Sequence, residues 1–383
     1  MKPKTFMLIA GEASGDLLAA ELVAALRTQL PDATFFGAGG PKMSAAGMEL
    51  AFDLTQNAVT GITDILKNVF KFRRLFNQLL ALAVERKPDV IIGVDYGGFN
   101  LRFGHAVKEH VRKNPGAWNP KIVQFVSPQV WGSRPWRANK LAADYDLLLS
   151  IFPFEKDWYA RRVPQLRVEF VGHPMVNRFA MEDGSQKLEV GVKNPPTVLL
   201  LPGSRRGELQ KHLPPMLGAL KLIQGKLPAA KAKMVLPDES LVQLAKSLGV
   251  TADVEIQIGN LPQALAEADV AIASTGTVTM ECAFFGVPTV TLYKLSWLNY
   301  QIGIRILTSK WLTMPNILAD EVVFPEFLQY DATPENLSRA ALELLQDESR
   351  RKKIKSQLAG IVASLGEAGA ANRAATAVLS LFK

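Results

Sequence analysis

Three carboxylates in the first part of the chain are positioned to act as a general base. Glu12 and Asp16 follow a short apolar run at residues 5–9, and Asp95 follows a second one at residues 90–94. Apolar runs that end at glycine or polar residues are typical of buried parallel strands. Ligands of open α/β sheets bind at the carboxyl ends of the strands, so these residues are candidates for chemistry, although an Asp there is often only a loop hydrogen-bond acceptor. The first loop also has residues that suit close approach of a ligand: Gly11, Ser14 and Gly15.

A loop rich in hydroxyl groups lies in the second half of the chain. An apolar run ends there, and a helical pattern follows from residue 278 to residue 285. Free backbone N–H groups and the positive end of a helix dipole favour a phosphate or diphosphate at such a position. Glu281, one turn into the helix, is placed to accept hydrogen bonds from a ribose. The alternative is that the hydroxyls only cap the helix. The loop residues are Ser274, Thr275, Gly276 and Thr277.

A second loop makes a nucleotide site the better interpretation. The apolar run at residues 197–201 leads into Pro202-Gly-Ser-Arg-Arg-Gly-Glu208. In this loop Gly203 permits close approach, Ser204 donates a hydrogen bond, and Arg205 offers a bidentate donor for phosphate. The alternative is a pair of solvated arginines. Neither loop has the Gly-Lys-Ser/Thr of a Walker loop or a G-x-G-x-x-G pattern, which weighs against kinase, NTPase and simple dehydrogenase functions.

Length and composition are those of a folded two-domain protein. The chain has 383 residues, of which 48% are hydrophobic and 21% are charged. The single cysteine, Cys282, excludes an internal disulfide and suggests a reducing compartment. The first apolar run is too short for a signal peptide, and no run reaches the roughly 20 apolar residues that span a bilayer. We therefore expect a cytoplasmic protein. The four histidines lack metal-site spacing, so we expect no metal.

The net charge of +8 calls for an anionic partner. The basic residues are dispersed and no nucleic-acid-binding motif is present, so nucleic acid is not expected. Residues 59–84 have a helical apolar stripe that is wider than one core face requires, beside a basic face. This pattern predicts an interfacial helix on an anionic membrane, and the alternative is a helix packed on the sheet. The residues expected to face the membrane are Val69, Phe70, Phe72 and Leu75.

Eight short motifs, in order along nearly the whole chain, resemble those of the lipid-A-disaccharide synthase family, glycosyltransferase family 19. They begin at Gly11, Ser127, Pro153, Gly172, Leu201, Ser274, Pro315 and Asp331 and read GEASGD, SPQVW, PFE, GHP, LPGSR, STGT (with Glu281), PNIL and DATP. The resemblance, together with two similar strand–loop–helix halves, implies an α/β GT-B fold. In it two Rossmann-like domains face each other across a cleft, and C-terminal helices pack back on the first.

This resemblance also implies the reaction and the division of labour. Residues 1–178, with the terminal helix at 366–383, would form the acceptor and membrane-facing domain, and residues 190–350 the UDP-sugar domain. The substrates would be UDP-2,3-diacylglucosamine and lipid X (2,3-diacylglucosamine 1-phosphate), joined through a β-1,6 bond with inversion. Asn316 would contact UDP. No cofactor or metal is implied. The enzyme would work at the cytoplasmic face of an anionic inner membrane, and a homodimer is left open.

One position departs from the family pattern. The family commonly has a second Asp three residues after the position of Asp95, and this chain has Gly98 there. We therefore predict Asp95 as the base, with Glu12 and Asp16 as the next candidates. Two other functional classes remain open. One is another GT-B nucleotide-sugar enzyme, such as a UDP-N-acetylglucosamine 2-epimerase or a peptidoglycan-precursor glycosyltransferase, and the other is an inactive UDP-sugar- or lipid-binding homologue.

Overall fold

The computed structural model of the chain describes residues 3–54, 62–181 and 191–382. It divides into two compact units. The first unit comprises Met1–Asn177 together with Leu365–Lys383, and the second comprises Arg178–Ser364. Each unit contains its own sheet, and each is described by itself below.

The strands and helices alternate along most of the chain. The strands are β1 (Thr5–Ala10), β2 (Thr34–Gly39), β3 (Glu49–Asp53), β4 (Val90–Val94), β5 (Lys121–Phe125), β6 (Leu147–Ser150), β7 (Val168–Phe170), β8 (Thr197–Leu201), β9 (Lys231–Leu236), β10 (Val254–Ile258), β11 (Val270–Ser274), β12 (Thr289–Tyr293) and β13 (Glu326–Leu328). The helices are α1 (Ala13–Gln29), α2 (Pro41–Ala45), α3 (Ile62–Arg86), α4 (Gly97–Lys113), α5 (Val130–Ser133), α6 (Arg137–Asp144), α7 (Pro153–Arg162), α8 (Met175–Met181), α9 (Arg206–Lys226), α10 (Glu239–Ser247), α11 (Leu261–Glu267), α12 (Val278–Phe284), α13 (Trp297–Ile306), α14 (Met314–Ala319), α15 (Pro334–Gln346), α16 (Glu348–Ser364) and α17 (Ala370–Leu379).

The sheet of the first unit has the strand order β3-β2-β1-β4-β5-β6-β7, and the pairs are parallel. Strand order reverses between β1 and β4, and this is where a doubly wound sheet opens a crevice for ligands. Ala10 pairs with Val94, so the loops after these two strands leave the sheet side by side. The register therefore brings Glu12 and Asp95 to the same edge.

The sheet of the second unit repeats this design, with the order β10-β9-β8-β11-β12-β13 and parallel pairs. Leu201 at the end of β8 pairs with Ala273 near the end of β11. The arginine loop and the hydroxyl loop thus emerge next to each other at the switch point of this sheet. The prediction of two Rossmann-like halves is confirmed.

The C-terminal helices differ in where they pack. Helix α17 packs on α1 in the first unit, and the Arg373 guanidinium donates to the carbonyls of Val171, Glu367 and Ala368. Helix α16 instead packs on α12, α14 and α15 in the second unit. Only the terminal helix therefore behaves as the sequence predicted.

Helix α3 occupies much of the segment predicted to lie on a membrane. Leu75 packs against the core of the first unit, and the Phe76 ring meets the rings of Phe99 and Phe103 edge-on. The prediction that Leu75 faces a membrane is therefore wrong, because that part of the stripe serves the core. Phe72 is half-buried, and the side chains of Val69 and Phe70 lie outside the described residues. None of the described helices is both long and apolar enough to cross a bilayer.

Candidate functional site

Asp95 has an unusual backbone at the end of β4. Its φ is +49°, and that of the following Tyr96 is +44°. Two consecutive side-chain-bearing residues in the left-handed region are strained, at a cost of order 1–3 kcal/mol each, and persist only where surrounding contacts enforce them. The strain turns the chain sharply into α4 and leaves the Asp95 side chain half-buried at the sheet edge.

Two buried amides enforce this geometry. The Asn100 Nδ2 donates to the Asp95 carbonyl over 2.8 Å, and the Gln124 Nε2 donates to the same oxygen over 2.9 Å. The Asp95 N–H donates to the Phe125 carbonyl at 2.8 Å. Both amide side chains are almost fully buried, and Gly93 beneath them leaves no room for a Cβ. These hydrogen bonds hold Asp95 through its backbone carbonyl and N–H groups. None of them uses the carboxylate, which stays available to a substrate.

The electrostatics of this edge favour a proton acceptor. Burial raises the pKa of Asp95 first, and the negative charge of Glu12 raises it further. A raised pKa makes the carboxylate a stronger base. Glu12 and Ser14 are exposed. There is also open space at Gly98, because a Cβ placed there would meet no atom within 4 Å. The edge of the first unit is thus open in front of Asp95.

Two residues of the neighbouring GEASGD motif have roles other than those predicted. Asp16 is buried, and its carboxylate accepts from the N–H groups of Gly40, Lys42 and Met43 at 2.9–3.0 Å. These bonds cap α2, so Asp16 is a structural residue and not a free base. A Cβ on Gly11 would lie 2.4 Å from the Tyr96 ring. Gly11 therefore makes room for Tyr96 rather than for a ligand.

Gly15, in the first turn of α1, is the third residue of the GEASGD motif whose predicted role changes. It is buried where α1 crosses the sheet, and a Cβ there would lie 3.4 Å from the Val94 carbonyl and 3.5 Å from the Ala10 Cβ. This contact allows α1 to pack closely on the two central strands. Gly15 serves packing, and Glu12 and Ser14 are the predicted site residues of the GEASGD motif that remain exposed.

A buried carboxylate anchors the loop after β5. Glu155 accepts a hydrogen bond from the Trp131 Nε1 at 3.0 Å and one from the Phe152 N–H at 3.3 Å. Burial raises the pKa of Glu155 to about 7, against the hydrogen bonds from Trp131 and Ser127 that lower it. Two of the family-like motifs, SPQVW and PFE, therefore contact each other through Glu155.

Basic residues cluster beyond that loop. The pKa of Arg137 is lowered, first by burial and then by the charges of Arg134 and Arg102. Among the described residues, none of these three guanidinium groups forms an ion pair. Like charges held together without a counterion favour an anion at that place.

In the second unit the arginine loop precedes a long helix. Arg205 is the N-cap of α9, and its side chain is 57% exposed and paired with Glu208 at 3.3 Å. Gly203 has a φ of +116°, and a Cβ there would lie 2.5 Å from the Glu208 carboxylate. Ser204 is exposed. The loop thus presents a guanidinium, a hydroxyl and the positive end of a 21-residue helix to solvent.

Fewer residues of the hydroxyl loop are exposed than the sequence predicted. Ser274 is buried, and the Thr275 N–H donates to the Leu292 carbonyl at 3.1 Å, which leaves Gly276 and Thr277 exposed at the tip. Helix α12 has only seven residues, so its dipole adds little. Glu281 is half-buried, and burial raises its pKa. Thr277 and Glu281 remain candidate ligand contacts.

His212 is a residue that the sequence analysis missed. Its imidazole is fully buried, with Nδ1 2.9 Å from the Pro202 carbonyl and Nε2 accepting from the Lys294 N–H at 3.0 Å. The acceptor role of Nε2 assigns the proton to Nδ1, and burial lowers the pKa of His212. The side chain joins the arginine loop to the loop after β12. The sequence signal that could have pointed to this role is a histidine four residues after the predicted phosphate loop at residues 202–208.

Asn316 also differs from its prediction. It is fully buried, its Nδ2 donates to Phe324 O and Glu326 Oε1, and its Oδ1 accepts from the N–H groups of Val323 and Phe324, all at 2.8–2.9 Å. Every polar atom of the amide is therefore used inside the protein. Asn316 fixes the segment between α14 and β13, and we do not retain it as a direct UDP contact.

No group of three or more His, Cys, Asp or Glu side chains lies close enough to hold a metal ion in the part of the chain that the structure describes. The donor sets of both sheet edges are instead a carboxylate pair in the first unit and a guanidinium with hydroxyls in the second. The first set suits proton transfer, and the second suits a diphosphate.

Solved structures with similar folds include an epimerase and a glycotransferase. The UDP-N-acetylglucosamine 2-epimerase from Neisseria meningitidis bound to UDP-GlcNAc has a TM-score of 0.63 at 12% identity, covering 99% of each chain. The glycotransferase of kitacinnamycin has a TM-score of 0.58 at 17% identity, again covering 99% of each chain. At these identities the likeness concerns the fold alone, and it agrees with the predicted α/β class of two Rossmann-like halves.

Sequence comparison is more specific. A family model described as lipid-A-disaccharide synthetase matches residues 6–380. A lipid-A-disaccharide synthase from Myxococcus xanthus is 35% identical over 387 residues, which cover 99% of this chain and 98% of the relative. The chain therefore belongs to the lipid-A-disaccharide synthetase family, and it is a glycosyltransferase of lipid A biosynthesis.

Proposed function

We propose that this enzyme transfers 2,3-diacylglucosamine from UDP to lipid X, 2,3-diacylglucosamine 1-phosphate. The product is a β-1,6-linked disaccharide, formed with inversion at the anomeric carbon. The observation that carries the proposal is Asp95, a strained and half-buried carboxylate at the open edge of the first sheet, with a raised pKa and a backbone held by two buried amides. Such a group suits the removal of a proton from a sugar hydroxyl.

In the proposed step Asp95 accepts the proton of the acceptor hydroxyl as that oxygen forms a bond to the anomeric carbon. The bond from the anomeric carbon to the diphosphate breaks at the same time, and UDP leaves with the electron pair. Attack on the face opposite the leaving group gives inversion. The negative charge that develops on the leaving diphosphate requires positively charged hydrogen-bond donors. In this proposal the second unit supplies them.

UDP is proposed to bind at the sheet edge of the second unit. Arg205 and Ser204 are exposed at the start of α9, and Thr277 is exposed at the tip of the neighbouring loop. Arg205 gives charge-assisted hydrogen bonds to the diphosphate, and it exchanges its pairing with Glu208 for them. Glu281 accepts from the ribose hydroxyls. The Neisseria enzyme of similar fold is bound to a UDP-sugar, which supports a UDP-sugar here.

The acceptor phosphate is proposed to bind near Arg102, Arg134 and Arg137 in the first unit. Burial lowers the pKa of Arg137, and the charges of Arg134 and Arg102 lower it further; a phosphomonoester would offset this repulsion. The acylated part of both substrates places the reaction at a bilayer, so we also propose peripheral attachment to the cytoplasmic face of an anionic inner membrane. For helix α3 we keep the sequence-based proposal that Val69, Phe70 and Phe72 contribute, without Leu75.

The test is one assay with UDP-2,3-diacylglucosamine and lipid X, in which UDP and disaccharide are measured together. Equal amounts of the two products, with a β linkage by NMR, are expected. UDP release without disaccharide contradicts the transferase assignment. Parallel reactions with UDP-N-acetylglucosamine alone and with a peptidoglycan-precursor acceptor test the other nucleotide-sugar activities, and turnover of either in place of lipid X replaces the proposal. UDP binding without any turnover indicates an inactive homologue.

A further inference from the structure

Tyr96 holds an aromatic side chain on a backbone conformation that bulky residues rarely adopt. Its φ is +44°, and it directly follows Asp95 at the end of β4. The two buried amides on the Asp95 carbonyl account for the turn of the backbone, but not for the type of side chain at position 96. A strained residue beside the proposed base is a candidate for a role in substrate binding.

Two neighbours fix the Tyr96 ring in place. A Cβ placed on Gly11 would lie 2.4–2.6 Å from three atoms of the ring, so the ring lies against the bare backbone of that glycine. The ring also stacks on Phe99, in the first turn of α4, with 5.6 Å between the centroids and 20° between the planes. Because the ring is fixed before a ligand arrives, little rotamer entropy is lost when its hydroxyl binds one.

The Tyr96 hydroxyl lies at the same sheet edge as the proposed base. Among the described residues, none forms a hydrogen bond with this hydroxyl, although a buried or half-buried tyrosine hydroxyl usually has a partner. Burial, followed by the charge of Glu12, raises the pKa of Tyr96, so the hydroxyl keeps its proton at neutral pH and can donate. The same Glu12 charge acts on Asp95, and the space at Gly98 is open.

The inference rests on the proposed function, because the chemistry of the proposed acceptor limits what this hydroxyl can meet. Lipid X carries phosphate at position 1 and acyl groups at positions 2 and 3, and its 6-hydroxyl is the nucleophile. Its 4-hydroxyl is then the remaining free hydroxyl of the sugar. Carbons 4 and 6 are both bonded to carbon 5, so a donor beside the base can reach the 4-hydroxyl.

We propose that the Tyr96 hydroxyl donates a hydrogen bond to the 4-hydroxyl oxygen of the acceptor sugar. The contact holds the acceptor with its 6-hydroxyl towards Asp95, the group that accepts the proton. Tyr96 is therefore a specificity-determining residue for the acceptor, and Gly11 and Phe99 are the residues that position it.

The experiment uses the full chain and removes one oxygen atom. Tyr96→Phe keeps the ring against Gly11, and the KM for lipid X should rise about threefold to tenfold, because one hydrogen bond to the acceptor is lost. The contact exists in the ground state and in the transition state, so kcat and the Kd for UDP should stay within about twofold. An unchanged KM for lipid X overturns the proposal.

The matched control is Tyr300→Phe. Tyr300 is a half-buried tyrosine of the second unit, and its hydroxyl likewise has no hydrogen-bond partner in the part of the chain that the structure describes. Its removal should leave the KM for lipid X within about twofold of that of the unaltered chain. An equal rise of KM in the two variants would make the loss general to tyrosine hydroxyls and overturn the role of Tyr96.

An acceptor analogue tests which group Tyr96 contacts. With the unaltered chain, 4-deoxy lipid X should have a KM at least threefold or so above that of lipid X. With Tyr96→Phe the two acceptors should differ by less than about twofold, because the contact is already absent. If the missing 4-hydroxyl raises KM by the same factor in both chains, the two changes are independent and the proposed contact does not exist.

The pH profile separates binding from an effect on the base. The Tyr96 hydroxyl is neutral, so Tyr96→Phe should leave the acidic limb of the kcat profile in place, unlike removal of the Glu12 charge. A shift of that limb in Tyr96→Phe would show that the hydroxyl acts on Asp95 and not on the acceptor, and it would overturn the proposal.

Direct binding distinguishes this inference from the proposed function. Lipid X dispersed in detergent is titrated calorimetrically into the unaltered chain and into Tyr96→Phe, without a sugar donor. If the unaltered chain turns over and both chains bind lipid X equally, the proposed function stands and the Tyr96 contact is wrong. If the unaltered chain does not turn over, the proposed function is wrong. Weaker lipid X binding by Tyr96→Phe then still supports the contact, and equal or absent binding overturns it.

Discussion

The candidate sites of the two units occupy the same place in similar sheets and are built in opposite ways. In the first unit the central carboxylate, Asp95, is half-buried, strained and held by two buried amides. In the second unit the central cation, Arg205, is exposed and pairs with the carboxylate of Glu208, three residues later in the chain. The difference follows from what each site is proposed to do. A base needs a fixed position and a raised pKa, whereas a group that binds a diphosphate needs a free, charged end.

The comparison also shows which residues hold the loop of each site in place. The polar residues that hold Asp95 lie beneath it, in β5 and in the first turn of α4. The residue that holds the arginine loop, His212, lies one to two turns into α9 and spans from the Pro202 carbonyl to the Lys294 N–H. In both units a fully buried polar side chain fixes a loop backbone, and the side chain proposed to meet substrate lies on the exposed side of that loop.

The largest expected effect tests Asp95 as the base. Asp95→Asn keeps the shape and removes the proton acceptor, so kcat should fall by roughly 10²–10⁴ while the Kd for UDP changes little. The measurement combines steady-state turnover with calorimetric titration of UDP. Near-normal turnover in Asp95→Asn would move the base to Glu12, the other carboxylate exposed at this edge.

The next effect concerns the second unit. Arg205→Ala should weaken UDP binding by roughly 10-fold to 100-fold, because a charge-assisted contact to phosphate contributes about 1.5–3 kcal/mol. The control is Arg206→Ala, which removes an exposed arginine one residue later and should change the Kd for UDP by less than about twofold. If the two substitutions change the Kd for UDP equally, the loop contributes only general positive charge and not a specific contact from Arg205.

A smaller effect tests how the Asp95 backbone is held. Gln124→Leu removes one of the two amide hydrogen bonds to the Asp95 carbonyl, and kcat should fall about tenfold with UDP affinity unchanged. Thr291→Val is the control, since it removes a buried strand hydrogen bond in the second unit, from Thr291 Oγ1 to the Pro325 carbonyl at 3.0 Å. Both variants should lose thermal stability, and only Gln124→Leu should lose turnover. If kcat falls equally in both, Gln124 has no special role in positioning Asp95.

The smallest effect is a shift in pH dependence. Asp95 must be deprotonated to act, so activity should rise with pH through its raised pKa. The negative charge of Glu12 is one cause of the raised pKa of Asp95. Glu12→Gln should therefore lower the pKa of Asp95 and move the acidic limb of the kcat/KM profile to lower pH. Glu12→Asp keeps the charge and should leave the limb in place. Loss of turnover at every pH in Glu12→Gln would instead make Glu12 the base.

The sequence by itself determined the central strands and the loops that follow them. Residues 90–94 and 197–201 are continuous apolar runs because parallel strands at the centre of a sheet are covered on both faces. The glycine, hydroxyl and arginine loops after such runs, and the ordered motifs along the chain, were sufficient to predict the fold class and the family. The outer strands β3, β10 and β13 escape this pattern, since they are largely half-buried or short and lack a continuous apolar run.

Only the tertiary structure decided what each polar side chain does. Asp16, Gly11 and Asn316 have the residue types of a ligand site, yet they cap α2, make room for Tyr96 and fix the segment before β13. His212 and Lys294 are separated by 82 residues and meet through one hydrogen bond. A residue type states which bonds a side chain can form. The partner that forms them is set by contacts between distant parts of the chain, and these exist only once the sheets have assembled.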